Sequence, residues 1–253
     1  MRLDGATFLV QWAVGGLAFC WVTTRRREVG IGYGWLLRGL YAVFAVGGVA
    51  IMAARGVEGL ARLVALLASV GVVAGALVAL GASIRHRTLG TFDPRLDVVA
   101  PVCGVVALVA ASVFAGGAVV LAGSRLLVGA AFLGAISDAM LLGHWYLVQP
   151  GLRRDPLREL VRWNSWLWPA ELAVMLWPTG MISVLNGTID DGYNGLLGWV
   201  WVACALTTIA LVGVTWLALR ERYYSAVMSA TGLLYLAILT AFGTDLIARA
   251  ALA

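Results

Sequence analysis

Four ionisable residues, Arg38, Asp138, His144 and Glu171, fall inside long apolar runs of the chain. In a bilayer such side chains are costly, face the protein interior, and mark proton relays, ion paths or ligand counter-charges. An acid and an imidazole at neighbouring depths can pass a proton or hydrogen-bond a quinone carbonyl, and an arginine can hold an anion or fix a carboxylate. Ser137 and Tyr146 place hydroxyls next to Asp138 and His144.

Their depths follow from helix geometry. The fifth apolar run ends near Gln149 on the cytoplasmic side, so His144 lies roughly 8 Å and Asp138 roughly 17 Å inside that face. The sixth run re-enters near Trp163, which puts Glu171 roughly 12 Å deep, between the other two. Arg38 lies about one turn inside the second run. These depths predict one polar pocket opening toward the cytoplasm, walled by Arg38, Ser137, Asp138, His144, Tyr146 and Glu171. The helical wheel restricts it: Asp138 and His144 are about 120° apart around the axis, so they flank a wide cavity or one of them faces a different helix. In the plain structural alternative, Arg38 snorkels to the interface and Glu171 hydrogen-bonds His144. Pro169 and Pro178 bracket part of the sixth run and can free backbone carbonyls there.

Other chemistries are excluded or disfavoured. All 18 basic charges are arginine, so no lysine Schiff base or lysine nucleophile exists. His86 and His144 are the only histidines, too few for multi-histidine metal enzymes or a histidine-ligated pair of haems. A single bis-histidine haem would need His86, which sits in the polar stretch Ser83–Thr88. Cys20, Cys103 and Cys204 lie in separate runs without a CxxC pair and read as packing residues. Ser137, Ser165 and Ser183 lack a glycine-flanked nucleophile motif, and no nucleotide-binding glycine pattern is present. Asn186-Gly187-Thr188 matches a glycosylation acceptor but says little about compartment. Asp190, Asp191 and Asp245 form a modest acidic group, with Gln11 a short way into the first run, and Asp245 and Arg249 are spaced for an i,i+4 ion pair.

The elements that must position these residues are set by composition. Of 253 residues, 12% are charged and 62% apolar, with mean hydropathy +0.92. Soluble domains run near 25% charged and 45–50% apolar, so an ordinary soluble globule is excluded, as are disordered and disulfide-stapled chains. The fold class is all-α: a polytopic transmembrane helical bundle forming one integral membrane domain over 1–253. A span needs roughly 20 apolar residues. Eight such runs occur, at about 5–23, 35–54, 60–82, 98–122, 126–149, 164–185, 195–219 and 224–248.

Gly123-Ser124-Arg125 is expected to make the turn before the fifth run, and Asn186–Asn194 a polar loop. The odd-numbered loops hold twelve arginines and the termini and other loops five, which by the positive-inside rule places both termini outside. Leu17–Cys20 only resembles a lipoprotein box, since Phe19 is bulky, so the first run is expected to stay as an uncleaved span. In the fifth loop, Asp155 is expected to cap a short amphipathic helix with Pro156 at its first position, which should lie among the headgroups. Its arginines, within Arg153–Arg162, are expected to attract anionic lipid headgroups, so the net charge of +5 calls for no nucleic acid.

Small residues at helical steps (Ala68, Gly71, Gly75, Ala79, Ala82; Ala107, Ala111, Ala115, Ala118) predict a close hairpin of the third and fourth spans. Most tryptophans sit at run ends as an interfacial belt, with Trp145 and Trp177 as candidates for a specific role. No internal repeat supports an inverted-repeat transporter. Gly143–Val148 is distinctive, yet attaches to no known activity. The residues favour a non-catalytic membrane subunit or anchor of a larger complex, with protein partners and a quinone or proton site. A small proton-coupled transporter or channel is the alternative, and a lipid-modifying membrane enzyme the third reading. The alanine, glycine, valine and arginine bias suits a multi-pass protein of a bacterial-type inner membrane.

Overall fold

A computed structural model describes residues 4–87 and 92–252. The helices are α1 (Gly5–Thr24), α2 (Ile31–Ala54), α3 (Leu60–His86), α4 (Val99–Ser112), α5 (Val119–Val148), α6 (Asp155–Leu176), α7 (Gly180–Leu185), α8 (Leu196–Ala218) and α9 (Tyr224–Ala251). A 3-10 turn, Pro94–Val98, leads into α4. No strand occurs among the described residues. Among the described residues, seven elements are long and apolar enough to cross a membrane: α1, α2, α3, the 3-10 turn with α4, α5, α8 and α9. The protein is thus an all-helical bundle of apolar helices, as a membrane protein requires. Its flanks are apolar too: Val43 on α2, Leu67 and Val78 on α3, Val102 on α4, Leu206 on α8 and Leu239 on α9 all face outward.

α1 and α5 form the axis: 67% and 61% of their most apolar segments are buried, against 28–39% for the other five. Glycine makes their crossing. A Cβ on Gly15 would come within 1.7 Å of the Ala130 carbonyl, and one on Gly134 within 2.1 Å of the Gly15 backbone. No larger residue fits, and such close approach gains the dispersion contacts that hold helices together where lipid supplies no hydrophobic drive. The expected α3–α4 hairpin forms likewise, with Gly71 against Cys103 and Gly75 against Ala100.

Three boundaries differ from expectation. The fourth span stops at Ser112, not 122, because Gly116 and Gly117 turn the chain with φ of +85° and +79°. Ala115 and Ala118 therefore lie outside the helix, and Gly123-Ser124-Arg125, expected to be a turn, lies within α5. The amphipathic element is no separate surface helix. It forms the first two turns of α6, and Leu157, Leu160 and Val161 are fully buried in the bundle. Nothing near Trp163 breaks the helix. The break comes at Trp177, whose extended backbone is what a residue before proline adopts.

The start of α1 and the end of α9 share one end of the bundle, where Arg55 pairs with Asp4 and Arg249 with Gln11. Asp4 caps α1 through the amides of Ala6 and Thr7. Burial pushes its carboxyl up, but the Thr7 hydroxyl, those amides and Arg55 together hold it below its ordinary value. At the opposite, basic end, the loops are tied by arginine: Arg25 and Arg26 to Glu159, Arg154 to the carbonyls of Arg222 and Tyr223, Arg158 to that of Leu219.

Candidate functional site

The predicted pocket residues occupy five separate environments. Arg38, 1% exposed, makes a two-pronged ion pair with Asp97 of the 3-10 turn, Nε to Oδ1 and Nη2 to Oδ2 both at 2.7 Å. The Thr24 hydroxyl donates to the same carboxylate at 3.0 Å, and the Phe92 ring lies 4.6 Å from the guanidinium carbon. Gly34 makes room, since a Cβ there would approach Arg38 Nη1 to 2.5 Å. Arg38 thus clamps α1, α2 and the turn before α4 and does not snorkel. Asp97 went unread because Pro94 and the flanking charges placed it in a loop. The available signal was that an arginine inside a span needs a partner.

Asp138 is fully buried beside α2. The Tyr41 hydroxyl donates to its Oδ1 at 2.5 Å and the Tyr33 hydroxyl to its carbonyl at 3.1 Å. Oδ2 has no hydrogen-bond partner, and Asp138 makes no ion pair among the described residues. Ser137 receives the Trp12 indole N–H at 2.8 Å, and Trp12 itself packs against Phe44 and Phe242. Trp12 thus bonds one of the expected pocket residues, whereas Trp145 bonds Gln149 at the basic end and the Trp177 side chain is 69% exposed.

His144 faces the opposite way, as the wheel allowed. It is exposed on the bundle surface, with Nδ1 3.2 Å from the Tyr235 hydroxyl of α9. Tyr146 is buried but ties the chain at the basic end: its hydroxyl donates to the Arg153 carbonyl at 2.6 Å, and Tyr224 donates to its own carbonyl.

Glu171 belongs to the other half of the bundle. Counted from the true start of α6 at Asp155, it lies roughly 24 Å along the helix, so it does not sit between His144 and Asp138. It is 1% exposed, neither carboxylate oxygen has a hydrogen-bond partner, and its charged neighbours are Asp245, Arg249 and Arg125. Arg249 Nε donates to Asp245 Oδ2 at 2.7 Å, so the expected i,i+4 pair forms, wholly buried. Gln11 completes it by accepting from Arg249 and donating to Asp245 Oδ1 at 3.4 Å. Gly129 of α5 opens the space, since a Cβ there would meet Gln11 Nε2 at 2.5 Å. Arg125 donates to the carbonyls of Val174 and Trp177 at 2.8 and 2.9 Å. Its guanidinium thus satisfies acceptors that α6 leaves open at its end. Two cations, two acids and an amide therefore meet where α1, α5, α6 and α9 converge.

Two clefts run to this centre from the end that holds the start of α1 and the end of α9. One of about 210 Å³ is lined by Asp4, Arg55, Arg62 and Phe114 and reaches Arg249. Another of about 270 Å³ passes Gly116, Pro178 and Gly180 and reaches Arg125. Neither cleft, nor the hollows at the basic end, is lined by Asp138, His144, Tyr146 or Glu171. The expected single pocket is thus replaced by a buried centre approached from the opposite face. No cluster of three metal-ligating side chains occurs among the described residues. No family model, curated protein or solved structure matches the chain.

Proposed function

We propose that this protein is a small proton-coupled transporter in which Glu171 binds the proton. The observation that carries this reading is a wholly buried carboxylate without a hydrogen-bond partner, whose charged neighbours are Asp245, Arg249 and Arg125, the two arginines each lining a cleft. An acid in that position exchanges a proton with the clefts only as its neighbours shift, which is the coupling a transporter needs. The break between α6 and α7 adds support, because discontinuous helices line binding sites in transporters. In this reading α6 with α7 makes an eighth passage, the basic end faces the cytoplasm, and both termini lie outside a bacterial-type inner membrane. Charge-displacement recordings on proteoliposomes, with an imposed pH gradient and a panel of small organic acids, amines and sugars, test the proposal. At least one solute should give currents that Glu171→Gln abolishes while the variant stays monodisperse. Equal currents from wild type and variant overturn it.

The subunit reading keeps one support. His144 and Tyr235 pair on the apolar outer surface, where a quinone in the lipid tails can reach them. It requires that quinone co-purify with the protein and be lost in His144→Leu.

A further inference from the structure

At the basic end, α6, α8 and the loop after α1 enclose a basin of about 500 Å³ lined by Arg26, Arg158, Arg162, Trp216, Arg220, Asp155 and Glu159. The acids are already answered: Glu159 by Arg25 at 2.6 Å and Arg26 at 3.0 Å, Asp155 by Arg153 at 2.8 Å. Arg158 spends its Nη2 on the Leu219 carbonyl at 2.6 Å, at the end of α8. Arg162 and Arg220 remain; both are exposed, and neither makes an ion pair among the described residues. Arg162 lies over the Trp216 ring at 5.7 Å, which orients its flat guanidinium and leaves its N–H edge free.

A second hollow, of about 350 Å³, adjoins the first. It shares Arg162 and Glu159 and is otherwise lined by Trp163 and Trp166, which are 41% and 72% exposed. A charged basin thus opens sideways into an aromatic one at the edge of the apolar helix flanks. A free phosphate has no use for the second part. An amphiphile fits both, with acidic headgroup in the basin and acyl chains along the tryptophans. With the acids answered by Arg25, Arg26 and Arg153, Arg162 and Arg220 are two basin cations without an acidic partner among the described residues, which two phosphodiesters neutralise and one does not.

We infer that this paired basin is a binding site for an anionic lipid carrying two phosphodiester groups, held by Arg162 and Arg220 with Trp163 and Trp166 against its chains. The inference needs the chain to be membrane-embedded but does not depend on the transport reading. Native mass spectrometry and thermal melting of delipidated protein, with cardiolipin, phosphatidylglycerol, phosphatidylcholine or pyrophosphate added, test it. Cardiolipin should be retained and raise the melting temperature most, phosphatidylglycerol less, phosphatidylcholine not at all. Arg162→Gln with Arg220→Gln should weaken cardiolipin binding by about tenfold or more and leave the lipid-free melting temperature unchanged. Arg220→Gln alone, lying past the end of α8, should show a smaller loss in the same direction. The inference fails if pyrophosphate alone protects as well as cardiolipin, or if both variants retain cardiolipin like wild type.

Discussion

Arg38 and Asp97 meet through two short hydrogen bonds with side-chain exposures of 1% and 3%. Removing one partner of such a pair strands a buried charge, whereas replacing both with apolar groups does not. Asp97→Asn is therefore expected to destabilise the protein by about 3–5 kcal/mol, while Arg38→Met combined with Asp97→Leu costs much less. Thermal melting in detergent, compared across the three proteins, checks this. The same logic separates the two buried acids farther into the bundle. Asp138 has a phenol donor and no cation, while Glu171 has arginines nearby and no donor. Sequence position alone marked both as costly; their partners, Tyr41 on α2 and the arginines of α5 and α9, come from other helices.

The glycines on α1 and α5 act at the scale of whole helices. A side chain at Gly134 would collide with the Gly15 backbone, which cannot move aside without displacing α1. Gly134→Val is expected to prevent the two axial helices from packing, giving aggregated protein on size-exclusion chromatography. Gly39→Ala, where a Cβ meets open space, should elute as wild type. The stripe on α3 was legible because Gly71 and Gly75 repeat at helical steps along one run. The α1–α5 crossing was not, since Gly15-Gly16 and Gly134 gain meaning only when two distant runs are laid together. The extent of α6 is not legible for a related reason: charges near its start resemble a surface helix, and only the bundle shows that its apolar face is covered.

For the molecule as a whole, arginine distribution and architecture agree. Arginines of the first and fifth loops meet at one end, cross-linking the first, fifth and seventh loops through carbonyls and Glu159. A reporter that is active only outside the cytoplasm, fused after the last residue, is expected to be active, and a cytoplasm-dependent one silent. The opposite result would invert the proposed topology. It would also turn the two clefts toward the cytoplasm, leaving the buried centre itself unchanged.

The helical class, the positions of most apolar elements, the gathering of arginine at alternate loops and the short list of ionisable residues needing an explanation are all legible in the amino-acid order. These follow from composition, from period and from the cost of charge in hydrocarbon, all of which are local or additive along the chain. The tertiary structure alone decided which of those residues meet. Arg38 went to Asp97, Asp138 to Tyr41, His144 to the outer surface, and Glu171 to a centre with Arg125, Asp245 and Arg249. The physical reason is that depth along a helix is fixed by residue count from its true end, and facing by which helix packs beside it. Neither is known until the breaks at Gly116-Gly117 and after Leu176 are placed and the glycine crossing brings α1 onto α5.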